Sequence, residues 1–273
     1  STKMKKISLI LSAFMLVALA MTTTSCNLFN ETICTRIEGD TEAQTLDFDA
    51  ITSLDVRDDA QVFLKEGPVQ EVRVEAQQEI LDNLNFRVEN GELIVDVEGC
   101  FRGDYTFDVY ITLPSTQALE DIEVSGAGLV QGNSAMQVAD EVDFDISGSG
   151  SIAFTAANAA TSVEISNSGS GEANIEIGTD AMEIGISGSG RVMLIGASVD
   201  TEVSITGSGI LQAYEFVTKN ANVSVSGSGN AEMRVEGGAF DVRISGSGTV
   251  RYLGQPGSIE ESISGSGRLI DEN

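Results

Sequence analysis

Acidic side chains are the first candidates for chemistry in this sequence, because paired carboxylates can hydrolyse glycosidic bonds or supply oxygen ligands to calcium. They gather at three places, Asp58-Asp59, Asp140-Glu141-Asp143-Asp145 and Glu260-Glu261. Asp143 and Asp145 alternate with Phe144 and Ile146, and this pattern predicts a strand whose acids point to water. We therefore predict no catalytic residue and no metal site. An enzyme that acts on polysaccharides through surface carboxylates and a calcium site at one of the acidic clusters are the alternatives.

Composition removes several other kinds of chemistry. The 273 residues include 42 Asp plus Glu against 15 Lys plus Arg, and they include neither His nor Trp. Without His there is no imidazole base, no Ser-His-Asp arrangement and no His-ligated metal. The net charge of −27 argues against nucleic acid as a partner, because proteins that bind a phosphate backbone present a basic surface. No motif calls for a cofactor, so none is predicted.

Pairs of glycines separated by one residue recur along the second half of the chain. Phosphate-binding loops also use glycine, but they need a turn from strand to helix and usually a Lys. Here strand-like sequence stands on both sides, so we interpret the pairs as structural corners. The first glycines of successive pairs are 22, 21, 19, 19, 20, 19 and 19 residues apart. The corner glycines are Gly126, Gly128, Gly148, Gly150, Gly169, Gly171, Gly188, Gly190, Gly207, Gly209, Gly227, Gly229, Gly246, Gly248, Gly265 and Gly267.

Around these corners, apolar and polar residues alternate with a period of two. Ile184 and Ile186 before one corner, and Val192 and Leu194 after it, are typical of strands with one buried face. A repeat of about 20 residues that holds short strands predicts one coil of a parallel β-helix. We therefore predict an all-β fold, with the coils at residues 124–273 and an irregular, strand-rich first half at residues 46–123.

The first half contains strand and turn signals without the short period. The predicted strands are Ser53–Val56, Val62–Lys65, Glu71–Ala76, Asn85–Glu89, Leu93–Glu98 and Thr106–Leu113. Asn90-Gly91 predicts a hairpin between two of them, and Gln78–Leu84 predicts a single helical turn. No long linker separates the two halves, so we predict one continuous body.

Two coils depart from the repeat. In the coil that ends at Ser168-Gly169, the last apolar residue before the corner is Ile165, so we predict a bulge at Asn167-Ser168. In the last coil, Glu261 takes the place that Val242 has one coil earlier. A charge on the inner face is expected at an end that no further coil covers.

The first 45 residues are predicted to direct and anchor the protein. Residues 1–25 combine a basic start with an apolar run of signal-peptide length, and Thr22-Thr23-Thr24-Ser25-Cys26 resembles the lipidation site of bacterial lipoproteins. We predict a lipoprotein signal peptide at 1–25, lipidation of Cys26 and a polar tether over 26–45; an ordinary cleaved signal is the alternative. Cleavage would remove three Lys and no acid, leaving a charge of 12 − 42 = −30.

Two cysteines remain after Cys26. Cys34 and Cys100 would enter an oxidising compartment on export, so they are candidates for a disulfide. Two unpaired thiols are the alternative at this stage. Two Cys that lie 66 residues apart, in a chain without His, make a poor zinc site.

The repeated Ser-Gly-Ser-Gly segments, the stretch Tyr110-Ile111-Thr112-Leu113-Pro114 and the lipoprotein-like start resemble the family described as "Putative auto-transporter adhesin, head GIN domain". The resemblance covers roughly residues 46–267. It implies a right-handed parallel β-helical, exported protein, in many cases a lipoprotein. It implies no catalytic residues and no known activity.

These observations predict a non-catalytic lipoprotein of the bacterial cell envelope, anchored in the outer membrane, whose solenoid serves binding or adhesion. The expected partners are the membrane, through the lipid, and a glycan or protein ligand. A purely structural envelope protein is a further alternative.

Overall fold

A computed structural model describes residues 34–273. The predicted signal peptide at 1–25 and the predicted lipidation site Cys26 lie outside the described residues. Within residues 34–273 the chain forms two compact units. Of the described residues, the smaller unit holds 34–36 and 99–102, and the larger holds 37–98 and 103–273.

The secondary structure of the described residues is almost entirely strand. The single short helix found there is α1 (Gln78–Leu81), inside the predicted helical turn. The strands are β1 Thr35–Arg36, β2 Thr41–Leu46, β3 Ser53–Val56, β4 Gln61–Glu66, β5 Glu71–Gln77, β6 Arg87–Glu89, β7 Glu92–Val95, β8 Phe101–Arg102, β9 Phe107–Leu113, β10 Leu119–Val124, β11 Leu129–Gly132, β12 Val138–Ile146, β13 Ser151–Thr155, β14 Ala160–Asn167, β15 Glu172–Gly188, β16 Arg191–Gly207, β17 Ile210–Gly227, β18 Asn230–Val235, β19 Ala239–Gly246, β20 Thr249–Leu253, β21 Ser258–Gly265 and β22 Arg268–Asp271.

Between residues 34 and 273, no helix is long and apolar enough to cross a membrane.

The smaller unit is built on a disulfide. Cys34 and Cys100 are bonded, with 4.6 Å between their Cα atoms. Next to the bond, β1 and β8 pair in parallel, and the Thr35 amide donates to the Cys100 carbonyl at 2.8 Å. A bond of this kind persists in the oxidising compartments outside the cytoplasm.

The larger unit is a β-solenoid of about 8 turns with parallel coils, as the repeat predicts. Each coil has one strand segment before its glycine corner and one after it. Each segment pairs in parallel with the equivalent segment of the next coil, so the solenoid has two stacks of strands, one before and one after the corners. From β15 to β16 the register runs without a break from Ala181–Asp200 to Gly188–Gly207. A constant register turns every repeat position into a column that runs across the coils.

The core lies between these two stacks of strands. Every second residue of a strand points inward, so Phe144, Ile146, Val203 and Ile205 are all nearly inaccessible to solvent. Each buried side chain of this size contributes roughly 1.5–3 kcal/mol relative to an exposed one. The outward residues between them are therefore free to carry charge without disturbing the core.

The corners require glycine for steric reasons. At Gly207 the backbone has φ +113°, and a Cβ there would lie 2.8 Å from the Gly188 carbonyl oxygen of the preceding coil. The same carbonyl accepts a hydrogen bond from the Ser208 amide at 2.8 Å. The corner thus needs both a backbone conformation that L-residues avoid and the space of a missing side chain.

The first half of the chain contributes the first coils. Strands β3 and β4 pair in parallel with β10 and β11, so the solenoid begins well before residue 124. The predicted hairpin is present, because β6 and β7 pair antiparallel around Asn90 and Gly91, both with positive φ. Observed strand bounds differ from the predicted ones by a few residues at most.

Strand β2 lies at the end of the stretch 26–45 predicted as a polar tether and extends one residue past it. Thr41–Leu46 pairs antiparallel with β5, so the sheet begins before residue 46. Its residues are almost all exposed and mostly polar, a composition that is also typical of a linker. Backbone pairing, which composition does not reveal, orders this segment.

The bulge predicted at Asn167-Ser168 is wrong. Asn167 stands in register between Ile146 and Ile186 and is 1% exposed, in a column otherwise filled by aliphatic residues. Its side-chain Nδ2 donates to the Gly171 carbonyl at 2.9 Å, and its Oδ1 accepts from the Gly169 backbone N–H at 3.3 Å. The corner backbone satisfies the buried side chain, so a polar residue keeps the register without an insertion.

The last described coil carries the predicted charge. Glu261 pairs in register with the buried Val242, yet it is exposed, because no described strand packs beyond β21.

We predict that Gly207→Ala lowers the free energy of unfolding by about 2 kcal/mol or more, because the new Cβ meets a backbone carbonyl in a left-handed conformation. Gly185→Ala is the matched control, since a Cβ there has no neighbour within 4 Å. Denaturant titration checks both variants. Equal stability of the two would contradict the steric account of the corners.

Candidate binding face

The strands before the corners present one outward-facing column that consists almost entirely of carboxylates. Residues of consecutive coils pair there in register, and we call the first five members the acid ladder: Asp121, Asp143, Glu164, Glu183 and Glu202. Asn222, Asp241 and Glu260 continue the same column. The acid ladder thus places five carboxyl groups in one row at a spacing of ~4.8 Å, and Asn222 interrupts the acids that follow it.

A second column of outward residues runs beside the acid ladder. Asp55 pairs with Glu123, and Glu123 pairs with Asp145, so three more acids stand next to the ladder on the first coils. Among residues 34–273, Arg57 alone forms an ion pair with one of them, and its guanidinium is bound to one Asp55 oxygen at 2.6 Å. Charge is therefore densest near β3, β10 and β12.

Counter-charges for the ladder are missing from the described residues. None of its five acids forms an ion pair with any residue in 34–273. Arg243, in the neighbouring column, donates to the Asn222 side chain at 2.9 Å instead. Two carboxylates ~4.8 Å apart in water repel by about 0.9 kcal/mol, above thermal energy.

Burial and repulsion together raise several carboxyl pKa values on this face. Desolvation, then the charges of Asp145 and Asp143, raise the pKa of Asp121 to about 7. Desolvation is also the main cause that raises the pKa values of Glu123 and Asp143. Asp121 is thus part-protonated at neutral pH, while its exposed neighbours keep the face negative.

Two carboxylate oxygens on this face are buried and have no hydrogen-bond partner among the described residues. They are Oδ1 of Asp55 and Oδ1 of Asp121. Asp55 is only 5% exposed, although its other oxygen binds Arg57. An unsatisfied buried acceptor carries a desolvation cost, which adds to the repulsion among the acids of this face.

A shallow depression of about 320 Å³ lies over the later coils of this face. Its acidic and amide lining includes Glu183, Glu202, Asp200, Asn220 and Asn222. Asn220 and Asp200 are joined by a hydrogen bond of 2.8 Å. The depression gives the ladder a recess where a polar group could lie.

The acidic clusters singled out from the sequence are separated by the fold. Asp143 joins the ladder and Asp145 the column beside it, while Glu260 ends the same column as the ladder. Asp58 accepts from the Val97 amide at 2.9 Å, and Asp59 accepts from the Tyr105 hydroxyl at 2.5 Å. Among residues 34–273 no group of three or more acids or cysteines is arranged to hold a metal.

Sequence reasoning missed the ladder because it looked for acids close together in the chain. The signal is present in the repeat itself. An acid stands five residues before the first corner glycine in seven of the eight repeats, and Asn222 is the exception. Aligning the repeats on their glycines, instead of scanning for clusters, would have revealed the column.

The solenoid, its stacked corners and the position of the repeats agree with one known family. The family model described as "Putative auto-transporter adhesin, head GIN domain" matches residues 47–256. The chain belongs to this family. The match includes the acid ladder and every corner except the last.

Solved structures share the fold of this family member. A putative adhesin from Parabacteroides merdae ATCC 43184 is 19% identical over 88% of this chain and 99% of its own, with a TM-score of 0.74. A putative adhesin from Parabacteroides distasonis ATCC 8503 is 21% identical over 87% and 99%, with a TM-score of 0.77. A putative lipid binding protein from the latter strain is 19% identical over 88% and 100%, with a TM-score of 0.73.

No curated protein matches the chain in sequence. The family description names adhesion, which favours an exported, non-enzymatic protein of the cell surface or envelope.

We predict that Asp121→Asn stabilises the protein by roughly 1–2 kcal/mol at pH 8, discounted because solvent still screens the half-buried group. The carboxyl has a folded pKa of about 7, above its ordinary value of 3.8. Its penalty is therefore complete above pH 7 and fades as the pH falls toward 4, so the wild type gains stability over that range. Denaturation at several pH values measures the difference. A stabilisation that is the same at pH 4 and pH 8 would contradict this account.

Proposed function

We propose that this family member is a non-catalytic, lipid-anchored protein of the bacterial cell envelope that binds its ligand through the face of the acid ladder. One observation carries the proposal. The ladder is an open row of five carboxyl groups, four of them exposed, held in register by the corners, and no described cation neutralises it. A fold that maintains such repulsion presents a surface suited to an external partner.

The geometry favours binding over catalysis. A glycoside hydrolase places its two carboxyl groups on opposite sides of the scissile bond. Here Glu164, Glu183 and Glu202 stand side by side on one sheet face, and all are exposed. Such acids can contact a ligand together, but they do not enclose one. The family description names adhesion as well.

The proposed anchor rests on the chain start. Small residues followed by Cys26 support lipidation there, and the lipid would hold the protein on the outer membrane. The bonded Cys34 and Cys100 are consistent with an exported protein.

An acyl chain is a second candidate ligand, favoured by a different surface. Met193 and Ile195 are 37% and 45% exposed beside a depression of about 270 Å³ on the strands after the corners. The putative lipid binding protein among the similar solved structures shares this fold. Fluorescent fatty-acid binding, with Ile195→Ser as the test variant, addresses this candidate.

We predict that Cys26→Ser shifts the protein from the membrane fraction to the soluble fraction of the cell envelope, because the lipid anchor at this residue is lost. Fractionation with immunoblotting measures the shift, and blocking lipoprotein signal cleavage should make the wild-type precursor accumulate. A variant that stays in the membrane fraction with an unchanged mass would contradict lipidation at this residue.

The binding face is tested on arrays of glycans and envelope proteins. For any ligand that binds on the arrays, we expect Glu183→Gln with Glu202→Gln to raise the dissociation constant about tenfold, because two favourable charge contacts are lost. Glu176→Gln with Glu215→Gln removes the same amount of charge from the strands after the corners, away from the acid ladder. This second pair is the matched control.

Equal losses in the two double variants would contradict the assignment of the face. Release of reducing ends from a polysaccharide would instead support the enzyme. If no glycan or protein on the arrays binds, a purely structural envelope protein would be favoured.

A further inference from the structure

Two half-buried aromatic rings lie side by side on the outer face of the first coils. Phe63 of β4 pairs in register with Tyr110 of β9, and their rings stack with 5.2 Å between centroids and 22° between planes. Within residues 34–273, every other pair of contacting rings includes a buried ring, such as Phe144 or Phe240. Aromatic surface left accessible to solvent in this way is typical of binding sites.

Polar side chains of both charge signs surround the stacked pair. Arg73 of β5 pairs with Tyr110, holds its guanidinium carbon 5.5 Å from the ring centroid and forms an ion pair with Glu75. The Tyr110 hydroxyl donates to Asp108 at 3.4 Å. The rings are therefore bordered by guanidinium, hydroxyl and carboxylate groups, which together donate and accept hydrogen bonds.

A depression of about 460 Å³ adjoins the aromatic pair at the turn between β4 and β5. Its lining includes Lys65, which stands two residues after Phe63 on the same strand and therefore about 6.7 Å from it on the same face. Pro68 and Val69 add apolar surface to the lining, and Val69 is 69% exposed. The rings and the depression thus form one surface that combines apolar and polar groups.

We propose that this surface binds a neutral oligosaccharide, with one sugar ring against Phe63 and Tyr110 and the next sugar ring in the depression. The inference goes beyond the proposed function, because it adds a ligand site separate from the acid ladder. No residue of the acid ladder lies on β4, β5 or β9.

A sugar ring fits this surface because it has two kinds of contact to offer. Its C–H groups form an apolar face that packs on an aromatic ring, and its hydroxyls donate and accept hydrogen bonds at the edge. The site supplies ring surface at Phe63 and Tyr110 and hydrogen-bonding groups at Arg73, Glu75 and Asp108. Sites for small ligands usually combine apolar contact with a few placed polar groups in this way.

The charges of the site favour a neutral ligand. Lys65 and Arg73 stand among the acids Glu66, Glu71 and Glu75, so both signs are interleaved. An anionic ligand would meet these acids and the net charge of −27, while a cationic ligand would meet Lys65 and Arg73. Hydroxyl groups form hydrogen bonds with charged groups of either sign, so a neutral sugar chain meets no like charge.

The probes are cellohexaose, maltohexaose and the hexamer of N-acetylglucosamine, measured by calorimetry on the purified protein. We expect at least one of them to bind saturably. Its dissociation constant should change less than about twofold when the salt concentration rises about fourfold, because a neutral ligand displaces no counter-ions. Galacturonic acid oligomers of the same length carry carboxylates and should bind at least about tenfold more weakly.

Three variants locate the site. Phe63→Ala with Tyr110→Ala should raise the dissociation constant at least about tenfold, because the aromatic contact is lost. Lys65→Ala should raise it about threefold, and because this side chain is exposed, the variant tests the site even if the aromatic variant fails to fold. Val199→Ala with Ile259→Ala removes exposed apolar surface on β16 and β21. This matched control should change binding less than about twofold.

Three results would overturn the inference. They are no binding of any neutral hexasaccharide, an equal loss in the matched control, and binding that is lost in Glu183→Gln with Glu202→Gln but kept in the aromatic variant. The last result would place the sugar on the acid ladder, so the inference would fall and the proposed function would stand. If sugar binding depends on Phe63 and Tyr110 while no array ligand depends on the ladder, the inference stands and the proposed function falls.

Discussion

The structure depends on the contact between a corner glycine and the backbone of the coil before it. At Gly207 the carbonyl of Gly188 occupies the space that a Cβ would need, and that carbonyl also accepts the Ser208 amide. The corner therefore fixes how each coil sits on the last, to within one residue. Because strand side chains alternate with a period of two, a slip of one residue would turn the core outward and the acids inward.

Fixed register has an electrostatic consequence. Glu183 must stand beside Glu202 and Glu164 because the corners place them there, and like charges opposite each other are unfavourable. Glycine and the aliphatic core stabilise the coils enough to hold this row together. Part of the excess acid in the composition is thus organised by the fold into one row, where it can act on a partner.

The repeat predicted the solenoid because its two requirements depend on residue type at fixed positions. Corners need glycine, and the inner face of each strand needs aliphatic residues at alternate positions. Asn167 escaped prediction because its fitness for the core depends on hydrogen bonds to Gly169 and Gly171, which no periodicity shows. Strand β2 escaped because its order comes from pairing with β5, not from its own polar residues. The acid ladder needed register across coils, so reading acids as neighbours in the chain missed it, although their constant distance from the corner encoded it.

The most direct test of this account is a cysteine pair placed across two coils of the ladder. Register puts residues 183 and 202 opposite each other, at a Cα separation of ~4.8 Å that a disulfide spans without strain. Glu183→Cys with Glu202→Cys should therefore bond rapidly on mild oxidation, as seen by mass spectrometry of peptides. Glu183→Cys with Thr206→Cys, which is displaced by four residues, should not bond. Bonding of the displaced pair in preference to the opposed pair would contradict the register on which the binding face is built.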